Sequence, residues 1–436
     1  MNSLKIGMKR VEELVPNHKN VRTHSKRQIE LIAESIQTFG FNCPVLVDEN
    51  NLIISGHARR AAAKLVGLKE IPTISIEHLT EPQIRAFMIA DNRLTERGGW
   101  DDQLLAVELT DLFELDLDFD LDVTGFEVPE VDFLLHQARK TQDRAKSEVL
   151  ELPCGPPVSR PGDLWELGNH MVVCGNALEE ESYQCIVGDS QAAMVFADPP
   201  FNVPIDGHVS GNGAVRHREF AMACGELSSE QFTAFLSKSL GFCAEHSRAD
   251  ALQYICMDWR HIDELQRAAK ACFDQFINLC VWVKTNGGMG SFYRSRHELV
   301  FVYRNGRTQH RNNVQLGRHG RNRTNVWEYP GVNTFNRTRM AEREMHPTVK
   351  PVELVVDAIL DASAPNELVL DPFAGSGTTL LAAERTKRRA RLIEIDPIYV
   401  DLTIERWLAE TGKAAIHLES GKTYDELGKD RSDAQR

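Results

Sequence analysis

Long apolar runs are missing from this chain of 436 residues. None approaches the roughly 18 residues that a membrane helix needs. The first ten residues, MNSLKIGMKR, hold no apolar core of a secretory leader. Cysteines are few and scattered, nine in all, with no Cys-x-x-Cys pair. That argues against a disulfide framework and a finger-type zinc site. A reducing cytoplasm is the expected setting, with neither a membrane partner nor a metal. Hydrophobic content of 42% and charged content of 26% are ordinary for a folded soluble protein. The length predicts two domains or three.

Lys and Arg are absent from residues 101–132, which hold twelve acids. That stretch accounts for nearly all of the net charge of −13. Residues 284–350 have the opposite bias, thirteen Lys or Arg against four acids. An acidic protein with one concentrated basic region can bind a polyanion there.

Residues 1–97 read as a small α/β unit. Ser25-Lys26-Arg27-Gln28 has the capping-box pattern, with Ile29, Ile32, Ile36 and Phe39 at helical spacing. Pro44–Asp48 and Leu52–Ile54 predict strands either side of an Asn50-Asn51 turn. A helix over Ala58–Val66, a strand over Ile71–Ile76 and a helix opened by Thr80-Glu81-Pro82-Gln83 follow. Residues 98–136 predict an acidic helical connector, and Pro- and Gly-rich residues 137–161 a linker. Residues 162–419 alternate strand-like and helix-like patterns, which predicts a parallel sheet. Residues 420–436 are polar and predicted to form a flexible tail.

Two segments carry chemistry. Val195-Phe196-Ala197-Asp198-Pro199-Pro200-Phe201 is an apolar strand ending in an acid, two prolines and a ring. The prolines fix the backbone and remove two N–H donors. The tip therefore offers a carboxylate and free carbonyls beside a flat plate. It suits a planar group bearing an exocyclic amine: Asp198 and the Pro199 carbonyl accept, and Phe201 stacks. Alone, these residues would also serve as a rigid strand-to-loop corner. The second segment, Leu368 to Thr379, reads strand, Gly-containing turn, helix, and places a ligand at a helix N-terminus. No Lys follows the second Gly, so it is not a Walker loop. Arg391 to Asp396 is a strand ending in acids, which can accept from ribose hydroxyls. Together these imply a nucleoside-containing cofactor.

Asp198-Pro199-Pro200-Phe201 resembles the catalytic motif of amino-group DNA methyltransferases, and Asp371-Pro372-Phe373-Ala374-Gly375-Ser376-Gly377 their S-adenosylmethionine motif. His346-Pro347-Thr348-Val349-Lys350-Pro351 is similar to the segment preceding that motif. The order of the motifs resembles the β group, in which target recognition lies between them, here at 284–345. The resemblance covers about residues 160–412. It implies a Rossmann-like α/β methyltransferase domain in which Asp198, Pro199, Pro200 and Phe201 are catalytic. Asp371, Phe373, Gly375 and Gly377 would face the methionine end of the cofactor, Thr348 and Lys350 its carboxylate, and Glu394 its ribose. Asn176 stands where the family usually has an acid against the cofactor adenine, and Phe201 where Tyr is commoner. Lys284, Arg294, Arg296, Arg318, Arg321 and Arg323 in the basic segment are the candidate DNA contacts.

Ile54-Ser55-Gly56-His57-Ala58-Arg59-Arg60 places Gly, His and two Arg at a strand-to-helix turn. With its flanking elements it resembles the ParB N-terminal domain, related to sulfiredoxin, a small α+β unit over about residues 4–97. Gly56, His57, Arg59 and Arg60 form the candidate nucleotide or phosphate site. No acidic cluster stands beside the turn to hold a metal, which counts against nuclease activity. The implied partners are double-stranded DNA and a nucleotide, with a homodimer left open. The resemblance implies adenine as the methyl acceptor. Cytosine-N4 transfer, or a ParB-like partition-type protein with an inactive methylase half, are the alternatives.

Overall fold

The computed structural model describes residues 5–115, 119, 121–142, 156–203, 225–285, 293–318, 321–330 and 350–433. The chain divides into two units, Met1–Ala138 and Arg139–Arg436.

In the first unit, strands β1 (Ile6–Arg10), β2 (Val45–Val47), β3 (Ile53–Ser55) and β4 (Glu70–Ser75) form one sheet in the order β1-β4-β2-β3. Asp48 Oδ1 shapes the β2–β3 turn by accepting from the N–H groups of Asn50 and Leu52. Helices Lys26–Phe39, His57–Val66 and Glu81–Thr95 accompany the sheet. Thr80 and Gln83 form the expected capping box. At Ser25 only half of one forms: Ser25 Oγ accepts from Gln28 N–H at 3.1 Å, while the Gln28 side chain meets His24. Val45, Val47, Ile53, Ala63 and Ile71 are fully buried between these elements. The acidic stretch contributes helices Asp102–Glu114 and Val128–Gln142. Ala106, Leu109 and Val131 are buried, and the Phe119 ring meets Phe39 edge-on at 5.4 Å. The stretch is thus packed into the first unit while its acids Asp101, Asp102, Glu108 and Asp111 face solvent.

The second unit is a ten-stranded sheet covered on both faces. Its strands are β5 (Leu164–Leu167), β6 (His170–Cys174), β7 (Ala192–Ala197), β8 (Ser247–Met257), β9 (Gln275–Val283), β10 (His297–Arg304), β11 (Val326–Glu328), β12 (Leu368–Asp371), β13 (Arg389–Glu394) and β14 (Ile416–His417). Their order is β11-β9-β10-β8-β7-β12-β13-β6-β5-β14. β6, β13, β12, β7 and β8 run parallel, and β10 lies antiparallel between β8 and β9. The central strands are apolar almost throughout, as strands buried on both faces must be. One face packs Phe196, Tyr254 and Trp282 against helices Val352–Ala362, Thr378–Arg385 and Pro397–Thr411. The other packs Val195, Ile255 and Phe301 against helices Glu180–Val187, Ser229–Glu245 and Ile262–Cys272.

The chain leaves β7 through the helix Ser229–Glu245 on one face and leaves β12 through Thr378–Arg385 on the other. The β7–β12 boundary is therefore a topological switch point, where the diverging connections open a crevice at the carboxyl ends of the strands.

The expected flexible tail is corrected by the structure. Residues Tyr424–Asp433 form a helix whose Tyr424 and Leu427 are buried in the main core. Arg431 pairs with Asp163, and the Trp165 ring meets Tyr424 edge-on at 5.5 Å. The polar appearance of the segment misled because its few apolar positions fall on one helical face.

Candidate active site

β7, β12, β13 and β6 all end at one edge of the sheet, and each ends in a candidate residue: Asp198, Asp371, Glu394 and, after Cys174, Asn176. Antiparallel β10 begins at the same edge because its Leu299 pairs with Met257 at the end of β8. β9 runs with β8, so Lys284, which follows its last residue, arrives there as well.

Asp198 Oδ2 accepts from Lys350 Nζ at 2.6 Å. The Lys350 ammonium, 4% exposed, also lies 3.1 Å from Glu298 Oε2, and Glu298 Oε1 pairs with Lys284. Asp198 Oδ1 is buried and has no hydrogen-bond partner among the described residues. The Lys350 ammonium lies 5.5 Å from the Phe201 ring centre and 5.9 Å from that of Trp282, whose ring Lys284 also approaches, at 4.6 Å. Burial pushes the Asp198 carboxyl above its usual range, opposed by Lys350 and reinforced by Glu298. Burial works against the Lys350 ammonium, but the two carboxylates outweigh it and push its pKa up. Glu298 is also buried, yet Lys350 and Lys284 hold it down to about 2.

The loop after β12 wraps Asp371 and Glu394. Asp371 Oδ1 accepts from Phe373 N–H at 2.9 Å, and Oδ2 from Thr379 Oγ1 at 2.6 Å. Glu394 Oε2 accepts from Gly375 N–H at 2.8 Å, and Oε1 from Asp396 N–H at 2.8 Å. Burial pushes both carboxyls up to about 7 despite those hydrogen bonds. Gly377 sits at φ 78°, and a Cβ there would lie 2.7 Å from Thr403 Cγ2, so the turn onto the helix has no room for a side chain. Phe373 stands beside Phe235, with ring centres 6.1 Å apart. This edge offers backbone groups at a helix N-terminus, an acid at the next strand tip and a pair of apolar rings. That donor and acceptor set fits a nucleoside cofactor.

Several expectations change. Lys350 is engaged by Asp198 and Glu298, so its ammonium is not held out for a cofactor carboxylate. Thr348 lies outside the described residues. The Asn176 amide is turned into its own loop, Oδ1 accepting from Leu178 N–H at 3.0 Å and Nδ2 donating to Glu179 at 3.3 Å. Three of the six candidate DNA contacts are internal. Arg321 is buried on Asp357 and Asp361, Arg323 pairs with the same two acids, and Lys284 pairs with Glu298. A buried, paired guanidinium cannot reach a phosphate without leaving its carboxylates uncompensated. Arg294, Arg296 and Arg318 are exposed. Sequence reading missed Glu298 and Asn202. Glu298 is a lone acid opening the apolar strand His-Glu-Leu-Val-Phe-Val-Tyr, a signal that says nothing about its partner. Asn202 accepts from Gly225 N–H at 3.0 Å and Leu227 N–H at 3.2 Å and donates to the Leu227 carbonyl, tying the end of the Asp-Pro-Pro-Phe tip to the start of the next helix.

In the first unit, Gly56 (φ 103°) opens the helix His57–Val66. A Cβ there would lie 3.1 Å from Arg59 Nη2, so the guanidinium folds over the glycine, and its buried Nε has no hydrogen-bond partner among the described residues. His57 Nε2 accepts from Asn17 N–H at 3.2 Å, and burial lowers its pKa, so the ring is neutral. Arg60 Nε donates to the Val11 carbonyl at 3.3 Å. Of the four expected residues, His57 and Arg60 are engaged by Asn17 and Val11, and Gly56 and Arg59 lie together at the helix start.

The ParB N-terminal domain family matches residues 3–93, a ParB-methyltransferase HTH domain residues 103–161, and a DNA methylase family residues 192–405. The HTH match spans both the acidic stretch and the segment read as linker. The chain is 23% identical over 249 residues to the type II methyltransferase M.HpaI of Haemophilus parainfluenzae, covering 54% of this chain and 73% of that one. It is 42% identical over 80 residues to the ParB-like nuclease domain-containing protein YnaK of Escherichia coli K12, covering 18% of this chain and 92% of that one. Among solved structures, the PvuII DNA methyltransferase (cytosine-N4-specific) superposes with a TM-score of 0.43 at 16% identity, over 63% of this chain and 95% of that one.

Proposed function

The chain belongs to the DNA methylases, with a ParB N-terminal domain ahead of the methylase, and we propose that it methylates the exocyclic amine of adenine in double-stranded DNA. The observation that carries this reading is the state of Asp198: one oxygen held by Lys350, the other buried, without a partner among the described residues, and beside the switch-point crevice. S-adenosylmethionine is the methyl donor, and it supplies a methyl group activated by a sulfonium. Glu394 accepts from its ribose hydroxyls, and Phe373, Gly375 and Gly377 line its path to the crevice. A base amine is a poor nucleophile because its lone pair is delocalised into the ring. Asp198 Oδ1 and the Pro199 carbonyl accept its hydrogens and so localise that pair. Phe201 stacks on the base, which leaves the duplex at a cost of a few kcal/mol. Arg294, Arg296 and Arg318 contact phosphates. Adenine is preferred to cytosine because the tip reads Asp-Pro-Pro-aromatic, the pattern that resembles adenine-directed members. In the first unit, Gly56 and Arg59 bind a nucleotide phosphate.

The test incubates the full chain with labelled S-adenosylmethionine and duplex DNA and identifies the modified nucleoside by mass spectrometry. N6-methyladenine is expected, lost in Asp198→Ala while calorimetry still detects cofactor binding. N4-methylcytosine as the product would overturn the choice of base. Loss of cofactor binding together with activity would place Asp198 in the wrong pocket.

A further inference from the structure

Four charged side chains meet at the tip of β7: Asp198, Lys350, Glu298 and Lys284. Two are cations and two are anions, so these four sum to zero among the described residues. They come from three remote segments, and the antiparallel insertion of β10 is what delivers Glu298 between the two ammonium groups. Sharing Lys350 with Glu298 has two consequences. The lysine has a second carboxylate oxygen 3.1 Å away, which helps hold it on Asp198 Oδ2 and leaves Oδ1 the open acceptor. The second negative charge also stops two lysines from leaving an excess cation beside the crevice.

Charge balance matters because the amine that takes the methyl group gains positive charge. As its nitrogen bonds to the methyl carbon and the carbon–sulfur bond breaks, the sulfonium charge passes to the nitrogen, which then sheds one proton to water. A net cation a few ångströms away opposes a cationic donor before the transfer and a cationic amine during it. Resting on the methyltransferase reading above, we propose that Glu298 is a positioning residue for methyl transfer: it braces Lys350 on one oxygen of Asp198 and keeps the tip of β7 electrically neutral. The groups facing Asp198 are Lys350, Glu298, Lys284, Asp371 and Cys256. Of these, Glu298 raises the Asp198 pKa, so its removal should move the acid limb of the kcat profile to lower pH.

The test uses the full chain and two ligands of nearly the same shape, cationic S-adenosylmethionine and neutral S-adenosylhomocysteine. Calorimetry gives the ratio of their affinities, which reads the charge of the site without turnover. Glu298→Gln leaves the cluster one positive charge in excess. It should shift the ratio about tenfold against the sulfonium and lower kcat on the order of tenfold to a hundredfold, with KM for DNA unchanged. Glu298→Gln combined with Lys284→Gln is neutral again and should return both readouts most of the way. Lys284→Gln alone carries a negative excess and should shift the ratio in the opposite sense, which keeps the test open should Glu298→Gln fail to fold. A merely structural Glu298 predicts no rescue by the second substitution. If the wild-type chain binds both ligands and methylates DNA while the ratio ignores these substitutions, the proposal falls alone. If the wild-type chain binds neither ligand, the methyltransferase reading falls and the proposal with it.

Discussion

Lowering the pH from 7 to 5.5 should weaken cofactor binding through one identifiable carboxyl. Glu394 is pushed up to about 7 by burial at the tip of β13, although it accepts N–H groups from Gly375 and Asp396. A carboxylate that accepts ribose hydroxyls must be ionised. At pH 5.5 a group with a pKa near 7 is only about 3% ionised, against about half at pH 7, so removing its proton on binding costs about 1.6 kcal/mol more than at pH 7, or roughly sixteenfold in Kd. Affinity should therefore rise by up to tenfold per pH unit across this window and level off above it. The cofactor's own amino group stays protonated throughout. The assay is calorimetry of S-adenosylmethionine binding at several pH values, in buffers of different ionisation enthalpy, with Glu394→Gln as the control. Wild type should release close to one proton at pH 6, and Glu394→Gln should bind weakly with the slope flattened. The empty protein responds with the opposite sign in another observable. The folded pKa of Glu394 is raised from 4.5, so its contribution to stability is full below that value and is lost as pH rises through about 7. A pH-independent Kd in the wild type, or an unchanged slope in Glu394→Gln, would refute the assignment of the ribose to Glu394.

Arg321→Met leaves the buried Asp361 carboxylate with Arg323 as its remaining arginine partner and should destabilise the fold by up to about 3–5 kcal/mol, read in thermal or urea unfolding. Arg296→Ala should leave stability nearly unchanged but reduce the slope of log DNA affinity against log salt by about 1. Deleting residues 421–436 should destabilise the methylase unit, because Trp165 loses the Tyr424 ring and Asp163 loses Arg431; an unchanged melting temperature would contradict the docked helix. Arg59→Ala in the full chain should weaken any measured CTP or ATP binding by about 1.5–3 kcal/mol through the loss of a charge-assisted contact, with DNA methylation retained. If His57→Ala rather than Arg59→Ala abolished nucleotide binding, the structural placement of that ring on Asn17 would be wrong.

What was readable in the linear chain is whatever depends on neighbours a few residues apart. The apolar strand into Asp198-Pro199-Pro200-Phe201, the glycine turn after Asp371 and the acid after Ile393 are local patterns, and each is found at the end of the strand expected for it. Helix starts at Ser25 and Thr80 followed from side chains three residues apart. Tertiary structure alone settled where charges meet. Lys350 and Asp198 are 152 residues apart, and nothing near either of them foretells the 2.6 Å contact. Arg321 and Arg323 look like any exposed arginines in a basic run, yet Asp357 and Asp361, one turn apart on a later helix, draw them inward. The apolar residues of Tyr424–Asp433 became core because they join the cluster of buried residues around Trp165. A charged side chain reads the same in sequence whether it faces water or a partner. The sheet order decides which, since β7 lies beside β12 and β10 is inserted between β8 and β9.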